Sequence, residues 1–167
     1  MSDYIAFFAS PRSFEELRKY DWDSAEDVEA LFGRMTEEQG LTRTWGGTRD
    51  GWILSGLSDW LTKRLKLRAL GSKLAADFVL ECEYVHWLMD YETQLELKAK
   101  MEEFDPRDDE MFGPIISEFF EPLGIEFVET YVDRGFDEFY QMFDDLKEDL
   151  GSSKDDYLIV LIPYFPY

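Results

Sequence analysis

Cys82, His86 and Asp90 recur at intervals of four residues, a spacing that puts side chains on one face of an α-helix. A thiol beside an imidazole can supply two zinc ligands, or a nucleophile with its general base. The rest of the chain limits both readings. A closed zinc site takes four ligands, and the sequence holds one cysteine and one histidine. A thiol nucleophile also needs an oxyanion donor or a third, orienting group, and no motif supplies either. On a helix, Cys82 would continue an apolar stripe through Phe78, Val85 and Met89, the setting of a buried structural thiol beside a hydrogen-bonded histidine.

Carboxylates offer a second chemistry. Glu118, Glu121, Glu126 and Glu129 have spacings that suit an acid–base pair, but with 37 acidic residues such pairs arise by chance. Asp105, Asp108, Asp109 and Glu110 are oxygen donors of the kind that hold Ca²⁺ or Mg²⁺. They lack the ligand order around a central glycine that an EF-hand requires, so a solvated loop leading into a helix is the ordinary reading. The glycine-rich stretch 41–51 has no Lys-Ser or Lys-Thr and no phosphate-loop spacing; a turn around Trp45 is expected there. No metal ion and no cofactor is implied, and the chain reads as non-enzymatic.

The remaining candidate is a surface. A helix over 136–150 would turn Phe136, Phe139, Tyr140, Phe143 and Leu146 inward and Asp137, Gln141, Asp144, Asp145 and Glu148 outward. Glu148 and Asp149 would then stand at the helix C-terminus, where the macrodipole is already negative. Each such placement costs about 0.3–1 kcal/mol. Like charges one turn apart add repulsion. Asp137, Glu138, Asp144, Asp145, Glu148 and Asp149 are therefore the expected contacts for a basic partner, since carboxylates spaced by a helical turn can imitate a row of phosphates.

These residues need elements to carry them. Tyr4-Ile5-Ala6-Phe7-Phe8-Ala9 predicts a buried strand that ends at Ser10-Pro11. Ser13 and Glu16 have capping-box spacing for a short helix to about Tyr20. Val28, Leu31, Phe32 and Met35 mark a second helix ending near Gly40, and Ile53, Leu57, Trp60, Leu61 and Leu65 the buried stripe of a helix over 52–67. Residues 72–103 read as one long helix with two apolar stripes, broken by Asp105-Pro106. A weaker helical stretch interrupted by Gly113-Pro114 follows, and residues 125–132 suit strand or helix equally. Tyr157–Ile162 is a fully apolar strand expected to pair with the first. The expectation is a single, mostly helical α+β domain over 1–167, with a small sheet joining the N-terminal and C-terminal strands.

Composition supports a folded chain. Of 167 residues, 45% are apolar and 17% aromatic, too many for a disordered acidic tail. The fourteen phenylalanines also argue against acidity acquired as salt adaptation. The net charge of −20 is uneven: residues 1–51 carry −5, residues 52–73 carry +4, and residues 74–167 carry −19. Such a field favours basic partners and repels nucleic acid and anionic membranes. The basic run Lys63-Arg64-Leu65-Lys66-Leu67-Arg68 reads as an internal counter-patch. With no secretory signal and no apolar run near the roughly 20 residues that span a bilayer, a cytoplasmic location is expected.

In order along the chain come the opening Tyr4-Ile5-Ala6-Phe7-Phe8, Glu15-Glu16-Leu17, Trp45 ahead of Ile53-Leu54-Ser55-Gly56, then Glu96-Leu97 with Phe104-Asp105-Pro106, and Phe139-Tyr140 before the last strand. This order of short patterns resembles the YfbM-like family of small bacterial proteins of unknown function. The resemblance implies a fold and a bacterial or phage origin, and it transfers no site.

The functional expectation is a non-enzymatic acidic protein that inhibits or neutralises a basic partner. Two forms fit: an immunity protein against a toxin nuclease, or a phage-type anti-defence inhibitor that mimics DNA. The alternatives are a small hydrolase built on Cys82 and His86, and a structural subunit docking through Tyr164-Phe165-Pro166-Tyr167.

Overall fold

A computed structural model describes residues 4–17, 42–47, 51–65, 85–123 and 135–161. They form an α+β arrangement, more helical than extended, around one antiparallel sheet. No helix among them is long and apolar enough to cross a membrane.

The two terminal apolar runs pair as expected. Strand β1 (Tyr4–Ala9) lies antiparallel to β4 (Tyr157–Leu161), with Ala6 opposite Val160 and Phe8 opposite Leu158. Two further strands complete the order β2-β1-β4-β3. Strand β2 (Thr42–Gly47) occupies the stretch where a turn was expected. Thr42, Thr44 and Trp45 are good strand formers, and beside β1 their backbone groups gain partners that outweigh the two glycines. A register irregularity between Ala6 and Phe7 accompanies this pairing.

Strand β3 (Val85–Met89) corrects the long helix expected over 72–103. Trp87, Leu88 and Met89 are consecutive and all buried, which a helix on a domain surface rarely allows and a strand covered on both faces does. Phe8, Trp87, Met89, Leu158 and Val160 join the helical core, while Leu88 and Ile159, opposite each other, are buried away from it. Helix α3 then begins only at Tyr91 and runs to Glu103. Asp90 is its N-cap, accepting the Thr93 N–H at 2.9 Å.

Helix α1 (Pro11–Leu17) starts one turn earlier than its capping-box spacing implied. Ser10 is the cap, its Oγ accepting the Ser13 N–H at 3.1 Å, and Pro11 takes the first helical position, where no donor is missed. Helix α2 (Gly51–Leu65) buries Ile53, Leu57, Trp60 and Leu61 as expected, together with Leu54. Helix α4 (Phe112–Phe120) absorbs Gly113-Pro114 in its first turn, where a proline breaks no intrahelical bond. It leads into a 3₁₀ turn, Glu121–Leu123. Helix α5 spans Asp137–Asp149. Expectations for 18–41 and 124–134, including the ambiguous 125–132, lie outside the described residues, as does the aromatic tail.

Helices α2, α4 and α5 pack around an aromatic cluster. The Phe112 ring meets Trp60 edge-on at 5.3 Å and Phe136 at 5.3 Å, and Trp60 stacks on Phe104 at 5.7 Å. Gly56 lets α2 approach this cluster closely: a Cβ there would lie 3.2 Å from the Phe139 ring. These contacts fix the inward face of α5 and so decide which residues it turns outward.

A buried Gln94 ties the far end of α5 in place. Its Nε2 donates to the carbonyls of Asp156 (2.7 Å) and Met89 (3.2 Å), and its Oε1 accepts the Gly151 N–H at 3.2 Å. Gly151 follows α5 in a turn closed by Ser152 N–H to Asp149 C=O at 3.0 Å. Leu150 has φ −58° and ψ 124°, and Gly151 has φ +74°. That is a type II turn, whose third residue needs positive φ.

Candidate functional site

The thiol–imidazole reading loses its geometry. Residue 86 lies in β3, at the point where register skips from Val85 opposite Leu161 to Trp87 opposite Val160. Asp90 is spent as a helix cap. The shared helical face on which Cys82, His86 and Asp90 were to meet does not exist, because the doubly buried strand interrupts it. Cys82 lies outside the described residues.

Of the acids at 105–110, Asp105 and Asp109 hold the segment between α3 and α4, while Asp108 and Glu110 are exposed. Asp105 caps a 3₁₀ turn (Pro106–Asp108) through the Arg107 N–H at 2.8 Å. Asp109 accepts from Trp60 Nε1 at 2.7 Å, from Arg64 Nε and Nη2 at 2.9 and 3.1 Å, and from the Met111 N–H at 3.1 Å. Burial pushes the Asp109 carboxyl up, but the hydrogen bonds from Trp60, Arg64 and Met111 outweigh it and hold it below the usual carboxylate range. No group of three or more His, Cys, Asp or Glu among the described residues is arranged to hold a metal ion. Glu118 and Glu121 are exposed on α4 and just after it, and Glu126 and Glu129 lie outside the described residues.

The basic run is internally matched where it is described. Lys63 pairs with Asp59 at 3.0 Å one turn away, and Arg64 with Asp109. Residues 66–68 lie outside the described part.

Helix α5 carries the six candidate contacts. At about 100° per residue, Asp137, Gln141, Asp144, Asp145 and Glu148 fall on one outward arc, with Glu138 and Asp149 at one margin and Tyr140 and Lys147 at the other. Asp137 and Glu138 are exposed in the first turn, where the dipole favours them. Glu148, exposed, and Asp149, half-buried, stand in the last turn beside Lys147. Lys147 leans its ammonium over the Phe143 ring at 5.3 Å.

Asp144 and Asp145 are engaged by neighbouring side chains. Asp145 accepts from Gln141 Nε2 at 2.9 Å. Asp144 receives both Nη groups of Arg107, at 2.6 and 3.2 Å, and the same guanidinium reaches Asp105 and lies 5.0 Å over the Tyr140 ring. The Arg107 hydrogen bonds hold the Asp144 carboxyl below its ordinary value. By contrast, Asp137, Glu138 and Glu148 make no side-chain hydrogen bond or ion pair among the described residues.

Sequence spacing missed Arg107 as the counter-ion of this face. It lies 37 positions before Asp144, on a turn of its own, and nothing in the local pattern of α5 points to it. Comparison of the chain with models of protein families, with curated proteins and with solved structures finds no match.

Proposed function

We propose that this chain is a non-enzymatic binding protein whose α5 face docks onto a basic partner and blocks it. The observation that carries the reading is the trio Asp137, Glu138 and Glu148: exposed carboxylates on a well-anchored helix that stay without a cation among the described residues. Glu148, exposed in the last turn, opposes the helix dipole, and such a local cost points to a surface used for something other than stability. The aromatic core behind α5 supports the same reading, because a rigid helix presents charges at fixed spacing and loses little freedom on docking.

The partner is basic, with a surface that binds nucleic acid: a toxin nuclease, with this chain as its immunity protein, or a defence complex inhibited by a DNA-like face. Complementary charge would speed encounter and make binding salt-sensitive. The resemblance to the YfbM-like family adds no activity and no site to this proposal. The test is capture from the native cell at low and high salt, with duplex DNA as competitor. A basic nucleic-acid-binding protein recovered at low salt, lost at high salt and displaced by DNA is the expected result. A partner retained at high salt and indifferent to DNA would overturn the proposal.

A further inference from the structure

Two arginines brace the segment between α3 and α4, and they are held differently. Arg64 is matched to Asp109, whose carboxylate is 4% exposed and fixed by Trp60 and the Met111 N–H besides. The carboxylate of that pair is sealed, although the Arg64 side chain is itself 37% exposed. Arg107 instead sits in the open: its side chain is 40% exposed, Asp144 is 41% and Asp105 is 34%. Its Nη1 reaches Asp105 at 3.2 and 3.3 Å, both Nη groups reach Asp144, and the Tyr140 ring lies beneath.

Carboxylates at the edge of a planar cation and an aromatic ring under its face suit a guanidinium. An ammonium, a compact point charge, cannot satisfy the fork and the ring together. We infer that Asp105, Tyr140 and Asp144 form an arginine-selective seat at the margin of the α5 face, that Arg107 fills this seat in the free protein, and that an arginine of the basic partner takes its place on docking. The inference rests on the reading of α5 as a docking face and narrows the partner to one that presents arginine rather than lysine at that margin.

Exchange is feasible because an exposed ion pair is weak. Once the partner is docked by the unpaired carboxylates, its arginine competes as a tethered group, as Arg107 does. Arg107 thus acts as a built-in competitor that lowers the charge of the face until a guanidinium arrives.

Fluorescent octa-arginine and octa-lysine peptides, titrated onto the full chain, test this directly. Arg107→Ala empties the seat and should tighten octa-arginine about two- to fivefold, the worth of an exposed pair, while tightening octa-lysine less. Lys154→Gln changes net charge equally at an exposed position in the loop before β4 and should leave the arginine-to-lysine ratio at its wild-type value. Tyr140→Leu in the Arg107→Ala background should abolish the preference. If Arg107→Ala shifts both peptides equally, or neither, the inference fails. Should that variant not fold, Arg107→Lys, which keeps the charge and loses the fork, makes the same comparison: tighter octa-arginine binding supports the seat and unchanged binding overturns it. The docking face fails separately: Glu138→Lys, on the margin of α5 opposite Tyr140, would leave partner capture intact while the arginine preference of Arg107→Ala persisted.

Discussion

Replacing Gln94 by leucine is expected to destabilise the protein by about 3 kcal/mol. The side chain is fully buried and all of its hydrogen bonds are to backbone: two donated, to Met89 and Asp156, and one accepted, from Gly151. Leucine fills similar space but leaves two carbonyls and one N–H without that partner. A buried polar group left unmatched costs about 1–3 kcal/mol, and the apolar side chain regains part of the total by needing no desolvation of its own. For a chain of this size, each kcal/mol shifts the melting temperature by about 2–4 °C, so a drop of roughly 6–12 °C is expected in thermal unfolding followed by circular dichroism. Gln94→Glu should be worse near neutral pH, because it places a carboxylate against two carbonyls, and should recover in part on acidification as the carboxyl regains a proton to donate. A Gln94→Leu protein within about 1 kcal/mol of wild type would refute the claim that this residue locks β3, α3 and the end of α5 together.

Gly151→Ala should cost about 1–2 kcal/mol from its left-handed φ alone. It also sets a Cβ 2.8 Å from Leu95 Cδ2, so Leu95→Ala should recover part of the loss in urea unfolding, and a neutral Gly151→Ala would rule out the type II turn. Stability should fall on acidification in a window set by Asp109 and Asp144. Both folded carboxyls lie below their ordinary 3.8, so their contribution is complete above that value and is lost as pH falls through the lowered folded value. Asp109→Asn should flatten this loss more than Asp144→Asn, since the Asp144 pair is half exposed to water; equal flattening would contradict the sealed geometry around Asp109.

What could be read from sequence was whatever a local period encodes. The α2 stripe and the inward face of α5 each follow a 3.6-residue repeat, and the structure buries Ile53, Leu57, Trp60, Leu61, Phe139, Phe143 and Leu146 accordingly. The pairing of the terminal strands followed from two apolar runs that both needed a sheet. Residues 84–91 misled because an apolar run with two stripes fits a helix covered on both sides as well as a strand covered on both sides. Asp90, a strong N-cap residue just after Trp87-Leu88-Met89, was the available signal for the strand. At 42–47, glycines suggested a turn, and only the neighbouring strand makes them extended. The site was legible in part. The carboxylate arc on α5 is a matter of spacing, whereas the Arg107–Asp144 and Arg64–Asp109 pairs join residues 37 and 45 positions apart and depend on how the helices pack.

The most direct measurement of the central claim is the affinity of the captured basic partner for the wild-type chain and for Glu138→Lys with Glu148→Lys, across a range of salt. Both positions are exposed, so the variant keeps its fold. The account predicts a loss of at least about tenfold at low salt, carried by two reversed contacts, and a gap that narrows as salt screens them. Equal affinity of the two proteins at low salt would contradict it.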